Sequence, residues 1–495
     1  MDRDELASQI PKGLWSEAAR AARALISARK VAIASHIDAD GISAAAVAKS
    51  ALERRGIASE AMFLKKLDGD AIASIGKVGA DLVWFTDLGS GSVSKLEGLH
   101  CVVSDHHVPE SYGQGASKRG GQALLTDFST VMHVNPQLHG LSGASELSGS
   151  GSTFLVALAI DERNMDLVGL AILGAVGDLQ DQKMRRLDGL NRILAKCAEE
   201  SGVLRIVNDI RYFGRETRPV HKLLEFSSDP FLPRISGNEE GALGFLLELG
   251  IELKDGDSWR SWASLEDRER QTILTALRDH LEQNRRRPEV IERLTGEVYE
   301  FLREPSGSPL RDAKECSTLL NACGRHAKAE VGLRVCMGDR GEALQEGMAL
   351  LRDHRSALSK ALTWAKGSGV IRMKNIQFFD AGDEIEDTIV GTVAGMLLGS
   401  EGADRTAPMV AFAESTEFSA TPKSKASARG TQELVSRGMD LSAAIRTAAE
   451  KVGGVGGGHN IAAGATIPED RKDEFLEILD QVVGSQLVSP SRRRA

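Results

Sequence analysis

The stretch that decides the fold runs from Val31 to Val47 and reads VAIASHIDADGISAAAV. It begins with apolar and small residues, turns polar abruptly at His36, Asp38 and Asp40, and then passes through Gly41 into an alanine-rich segment. A short apolar run that stops at polar residues and continues as a helix is the pattern of a buried parallel strand entering a βα turn. In open α/β sheets such turns lie at the carboxyl ends of the strands, where ligands bind. Alternate positions of an extended segment face the same way, so His36, Asp38 and Asp40 are expected to converge on one small volume. Two carboxylates and an imidazole packed that closely call for a cation. Their oxygen and nitrogen donors suit a hard or borderline divalent ion such as Mn²⁺ or Mg²⁺.

Two later units repeat the design. Leu82 to Phe85 reads as a buried strand with Asp87 just past its end, and Leu99-His-Cys-Val-Val-Ser runs into Asp105-His106-His107. Three strands therefore deliver Asp or His at their carboxyl ends. The apolar helical run Leu167 to Gly177 ends at Asp178. An acid there opposes the helix dipole; metal ligation is one reason for it, and an ordinary exposed Asp is the alternative. Ser148-Gly-Ser-Gly151 precedes an apolar helix starting near Thr153. Such a turn reads either as a phosphate cradle of backbone amides or as a plain loop.

The chain has 495 residues, too many for one core, so two or three domains are expected. Hydrophobic and charged fractions of 42% and 26% are those of a soluble globular protein. Neither a bilayer-spanning run nor a secretory leader is evident, and five scattered cysteines fit a reducing cytoplasm better than a disulfide framework. A net charge of −9 argues against coating nucleic acid by bulk electrostatics but leaves room for a local basic channel.

Leu14 to Lys30 is an amphipathic helix with Leu14, Ala18, Ala21, Ala22 and Leu25 on one face. Ala61 to Leu64 is a short strand, and Glu110 to Gly121 a polar surface loop. From about Asp188 to Trp364 the chain is charged and largely helical, with a capping box expected at Ser264 to Asp267 ahead of Ile273, Leu274 and Leu277. Arg285-Arg-Arg-Pro288 reads as a solvated helix end or a phosphate contact, and Cys316, Cys323, His326 and Cys336 lack the CxxC spacing of zinc sites. After Gly367-Ser-Gly369 a final α/β domain is expected, with strands at Val370–Met373 and Met409–Ala413 and a small-residue helix at Gly391–Leu398. In it, Ser424 to Arg429 leads into a helix around Glu433. Val452 to Gly464 places six glycines beside His459, leaving amides bare for an anion. The basic tail 489–495 is expected to be disordered.

In order, HIDADG at 36–41, Asp87, Asp105-His106-His107 and Gly177-Asp178 resemble the four motifs of the DHH phosphoesterases. GGGHNIAAGA at 456–465 is similar to the DHH-associated C-terminal domain. The H-x-D-x-D-G form, the helical middle, LLNACGR (319–325) and GTVAGMLLGS (391–400) look most like archaeal RecJ-like proteins, some of which are described as nucleases associated with GINS, a component of the replicative helicase. The resemblance implies an N-terminal parallel-sheet catalytic domain (1–187), a mainly helical connector (188–366) and a smaller α/β substrate-binding domain (367–488). It also implies two Mn²⁺, with Mg²⁺ as a substitute. His36, Asp38 and Asp87 would hold one ion. Asp40, Asp87, His106 and Asp178 would hold the other, so that Asp87 bridges. His107 would face the scissile phosphate and Asp105 would orient a neighbouring imidazole. Ser427, Arg429, Gly457, Gly458 and His459 would bind the nucleic acid. The expected activity is exonucleolytic release of mononucleotides from single-stranded DNA or RNA in replication or repair. A short-oligonucleotide or cyclic-dinucleotide phosphodiesterase and a GINS-binding helicase scaffold are the alternatives. Bacterial RecJ enzymes usually open the first motif with Asp, where this chain has His36, so their polarity and DNA preference do not carry over.

Overall fold

The computed structural model describes residues 1–110, 131–400, 402–415 and 421–487. The expected loop beyond Glu110 and the basic tail lie outside them. The chain forms two compact units, Met1–Leu351 and Arg352–Ala495.

The first unit is built on five parallel strands: β1 (Lys30–His36), β2 (Ala58–Leu64), β3 (Leu82–Thr86), β4 (Cys101–Ser104) and β5 (Val131–Val134). Their order is β2-β1-β3-β4-β5. Strand order reverses between β1 and β3, and that switch point is where an open α/β sheet leaves a crevice at its carboxyl edge. His36 ends β1 and Asp87 follows β3, so the sheet topology itself brings the two together. The helix Lys12–Ser27 buries the five residues expected of it. The helices Gly149–Ile160 and Val168–Gly177 are buried almost all round, which their apolar, glycine-rich sequences require.

The region after 188 is not one body. Strand β6 (Leu204–Ile210) leads into a segment with a small hairpin, β7 (Lys254–Asp255) and β8 (Ser258–Trp259), and the chain returns through β9 (Thr295–Phe301), antiparallel to β6. The enclosed segment has its own core around Tyr212, Leu223, Leu246, Trp262 and Leu277. By contrast, the helices Ala313–Arg325 and Ala329–Cys336 join the core of the N-terminal sheet through Cys316, Leu319, Leu320, Cys323 and Val331. The capping box forms two residues later than expected, between Glu266 and Glu269, because Ser264 is taken up in a preceding 3₁₀ turn.

The second unit carries a six-stranded mixed sheet: β10 (Ile371–Arg372), β11 (Gln377–Asp380), β12 (Met409–Glu414), β13 (Lys423–Arg429), β14 (Val455–Gly458) and β15 (Ala462–Pro468). The order is β10-β11-β12-β13-β15-β14. The helix Val390–Gly399 packs on one face, and Leu441–Lys451 and Lys472–Leu487 share the core of the other. Ser424 to Arg429 is a central strand, its alternate residues Ser424, Ala426 and Ala428 buried. The glycine run, whose amides were expected to be bare, is an edge strand, so β15 takes up part of its backbone hydrogen bonding.

Candidate metal centre

His36 leaves the carboxyl end of β1, but extended backbone does not continue to Asp40. Asp38 is the N-cap of the helix Ala39–Arg54, its carboxylate accepting the Gly41 N–H at 2.9 Å, and Asp40 lies in that helix's first turn. Convergence of the three side chains therefore comes from a strand-to-helix turn and not from strand alternation. Gly41 is required at this turn, since a Cβ there would stand 2.3 Å from the His36 carbonyl oxygen.

Asp40 is buried, and its two oxygens accept the Gly149 and Ser150 amide hydrogens at 2.7 and 3.0 Å. The amides read as a phosphate cradle are thus occupied by a carboxylate of the chain, which the positive end of a helix favours. Asp87 holds a left-handed backbone, φ 58°, and its amide donates to the Ser104 carbonyl at 2.9 Å. Its carboxylate lies so close to the Gly149–Ile160 helix that a Cβ at Gly149 would come within 2.3 Å of Oδ1. Asp178 caps the carboxyl end of Val168–Gly177.

These elements bring six side chains into two adjoining groups. In one, His36 Nδ1 is 2.9 Å from Asp38 Oδ2 and 3.7 Å from Asp87 Oδ2. In the other, His106 Nε2 is 3.3 Å from Asp87 Oδ1 and 3.8 Å from Asp40 Oδ2, and His106 Nδ1 is 3.8 Å from Asp178 Oδ2. The ligand-capable atoms of His36, Asp38 and Asp87 lie within 4.8 Å of one another, as do those of Asp40, His106 and Asp178. Asp87 turns one oxygen to each group.

The charge balance of this cluster is unfavourable without a cation. Burial, with Asp40 and Asp38 beside it, pushes the Asp87 carboxyl well above its ordinary range. Burial lifts Asp178 to about 6, with His106 pulling it down and Asp40 pushing it up. Burial would lower His106, yet Asp178 and Asp40 reverse that and raise it to about 9. Protons are standing where positive charge is needed. Asp87 Oδ1 is buried and makes no hydrogen bond, whereas His36 Nδ1 has Asp38 Oδ2 at 2.9 Å. Such an orphaned oxygen is uncommon in folded proteins, and it fits metal ligation.

The ligand orientations are fixed from behind. His106 Nδ1 is 2.6 Å from the Gly143 carbonyl oxygen. A carbonyl only accepts, so Nδ1 carries a proton, and Nε2 is the nitrogen that would give its lone pair to a cation in place of its own proton. Asp105 is fully buried; it accepts the Ser90 amide hydrogen at 2.8 Å and lies 2.8 Å from His107 Nδ1. It thus orients His107, whose side chain is 48% exposed. Burial opposes charge on that ring, but Asp105 raises it to about 9. His107 is consequently a cation at neutral pH, aimed at solvent beside the cluster.

The other predicted residues lie in the second unit. Ser427 on β13 pairs with Gly464 on β15, and Gly464 pairs with Gly457 on β14, so the three form one row across the sheet. Arg429 pairs with Ala462. A Cβ at Gly391 would stand 2.5 Å from Arg429 Nη2, so a glycine in the covering helix gives the guanidinium its space. Gly458 has φ 139°, and the exposed His459 follows it, its amide donating to the Ala462 carbonyl at 2.8 Å.

Sequence reasoning missed three side chains. Asn321 and Arg325 belong to the helix Ala313–Arg325, which packs against the His36–Asp40 turn. Asn321 Oδ1 accepts the Ala39 amide hydrogen at 2.9 Å, and a Cβ at Gly324 would overlap the Ile37 carbonyl. Burial lowers Arg325 while Asp38 raises it, which places a guanidinium beside a metal-ligand candidate. LLNACGR held the signal, but its distance in sequence from the motifs hid the contact. Lys425 is the third: it lies two residues before Ser427 on β13 and hence on the same strand face as Ser427 and Arg429.

With this geometry in place, comparison with known proteins identifies the class. Residues 212–295 match the DHH-CID domain family and residues 373–485 match the DHHA1 domain family. The chain is 27% identical over 464 residues to the uncharacterised protein MJ0831 of Methanocaldococcus jannaschii, an alignment covering 92% of this chain and 94% of that one. Its fold matches RecJ from Thermus thermophilus, crystallised with Mn²⁺, at a TM-score of 0.55 and 18% identity. That match covers 96% of this chain and 55% of RecJ, so the chain spans little more than half the length of that relative. It also matches CDC45 from Entamoeba histolytica at a TM-score of 0.59 and 11% identity, over 98% of this chain and 99% of that one. The chain thus has the fold shared by RecJ and CDC45, and two of its stretches match the DHH-CID and DHHA1 domain families. Among the described residues, no helix is long and apolar enough to cross a membrane.

Proposed function

We propose that this chain is a metal-dependent phosphodiesterase that shortens single-stranded nucleic acid from one end. The observation that carries the reading is Asp87, which turns one carboxylate oxygen to each of two ligand groups and leaves Oδ1 without a hydrogen bond. His36, Asp38 and Asp87 would hold one Mn²⁺ or Mg²⁺, and Asp40, Asp87, His106 and Asp178 the other. Bound there, the ions would supply Lewis acidity and positive charge against a phosphodiester. The chain's own part is to fix the ligands through the Gly149, Ser150 and Gly143 backbone groups and to hold His107 protonated through Asp105, ready to meet phosphate charge. Arg429, Ser427, His459 and the glycine row Gly457–Gly464 would grip phosphates, with the missing side chains allowing close approach. The Mn²⁺-bound RecJ relative supports this choice of ion.

A non-catalytic scaffold tied to a replicative helicase is the second reading, favoured by the full-length fold match to CDC45. The complete set of ligand-capable side chains favours catalysis.

The deciding experiment digests single-stranded DNA and RNA, labelled at the 5′ end or the 3′ end, with Mn²⁺ or with EDTA. Mn²⁺-dependent release of mononucleotides from one end is expected, and it also sets polarity and sugar preference. Bound metal with no cleavage of any strand would overturn the reading and leave the scaffold. Cleavage of dinucleotides alone would move it to small-substrate hydrolysis.

A further inference from the structure

The acid at the end of Val168–Gly177 is followed by a turn that continues to serve the cluster. The Leu179 amide donates to the Val176 carbonyl at 3.1 Å and the Gln180 amide to the Ala175 carbonyl at 3.0 Å. This is a Schellman closure, which normally places glycine at its left-handed position. Here Leu179 takes that position, with φ 60°, and is 58% exposed. A non-glycine residue held left-handed is strained, by roughly 1–2 kcal/mol, and such strain persists only where the surroundings enforce it. Its result is to turn Gln180 back over the helix end.

Gln180 is buried and fully bonded. Its Nε2 donates to the Gly143 carbonyl at 2.9 Å and to Asp178 Oδ2 at 2.9 Å, and its Oε1 accepts from Asn191 Nδ2 at 2.6 Å. The carbonyl and the carboxylate only accept, which sets the orientation of the amide, and Nε2 also lies 3.4 Å from His106 Nδ1. The Gly143 carbonyl is the same one that fixes the tautomer of His106. One amide group therefore ties two ligand candidates of one metal set together, and Asn191, wholly buried and remote from the ligands, anchors it.

We propose that Gln180 is a positioning residue for the Asp40–His106–Asp178 set alone, and that Asn191 acts through it. This rests on the reading that the cluster binds divalent ions. The His36–Asp38 side has no bond to Gln180 among the described residues, so the two sets are to be uncoupled by changing it.

The test is Mn²⁺ titration of the full chain, followed by calorimetry and by Mn²⁺ electron paramagnetic resonance, with melting of the metal-free chain as a folding control. Wild type should bind two ions. Gln180→Met, similar in length but unable to donate, should weaken one ion about 10–100-fold, the range for outer partners of metal ligands, and leave the other unchanged. Asn191→Ala should weaken the same ion by a smaller factor, and it decides the matter if Gln180→Met does not fold. A general structural defect would weaken both ions together. Unchanged affinity for both ions, or equal loss of both, overturns the proposal. A wild type that binds no ion removes the metal reading and this inference with it. A wild type that binds two ions but cleaves nothing removes only the nuclease reading.

Discussion

The two candidate functional faces of this chain are built on opposite principles. At the carboxyl ends of β1, β3 and β4, three candidate ligands are buried and oriented by neighbours: Asp40 by two amides, His106 by a carbonyl, Asp87 against a glycine. On the β13-β15-β14 face, the side chains are sparse, several positions are glycine, and a Cβ at Gly457 would meet no atom within 4 Å. The first face places charge and the second leaves space. Chemistry at a phosphorus needs donors fixed to fractions of an ångström, whereas holding a polymer that must slide needs access.

Breaking the first face should have the largest effects. Asp87→Ala takes a ligand from both groups, so metal content should fall to near zero and cleavage by about 10³-fold or more, because several kcal/mol of charge stabilisation leave with the ions. Metal analysis beside an activity assay checks this; substantial remaining activity would mean Asp87 does not bridge. Gly149→Ala pushes a methyl group against Asp87 Oδ1 and should cost about 10–100-fold in metal affinity, measured by the same titration.

A pH profile sharpens the comparison at its boundary. Asp105 keeps His107 charged up to about 9, against the pull of burial. Since the raised value belongs to the protonated form, that cation is present below about pH 9 and lost above it. The alkaline fall of kcat should therefore follow that titration, and Asp105→Asn should move it to lower pH. An unmoved alkaline limb would show that His107 does not act as a cation.

On the second face, effects should appear in binding alone. Arg429→Ala removes a charge-assisted contact of about 1.5–3 kcal/mol, so KM should rise about 10–100-fold with kcat and metal content kept. His459→Ala should behave likewise; loss of metal in that variant would mean the face has been misassigned. Gly457→Ala should be the mildest for folding: the space is open, and an alanine in a strand stabilises by about 0.4–1 kcal/mol where its conformation is allowed. A raised KM together with an undiminished Tm would mark the empty space as functional.

How far each face can be read from sequence follows from the same contrast. Strand ends bearing Asp and His announce themselves, because parallel strands must be apolar until they leave the sheet. The six ligand candidates can therefore be named, along with the helices that carry their cores. The way they converge cannot. Asp40 meets its neighbours through a helix turn, and Asp87 through a left-handed backbone that no spacing encodes. Gln180, Asn321 and Arg325 act through contacts between segments far apart in sequence, and polar residues of that kind look like any exposed ones until the fold is seen. The glycine run reads as a row of bare amides because glycine lowers strand propensity, and the partner strand that pairs it lies beyond it in the chain.

Strands β6 and β9 close residues 211–294 at their base: Ile210 stands opposite Thr295, and the register holds through to Leu204 and Phe301. Such a segment is a cassette. Its two ends already meet, so removing it and joining them with a short turn would cost little loop entropy and would leave the catalytic sheet's connectivity intact. Among its anchors is Arg215, buried just inside the cassette and bonded to Asp209, Glu300 and Asp312 outside it, with Arg211 on Asp181 and Trp262 on Asp209 beside it. An excised form would leave Asp209 and Asp312 without that cation, while Glu300 would keep Arg205 at 2.6 Å.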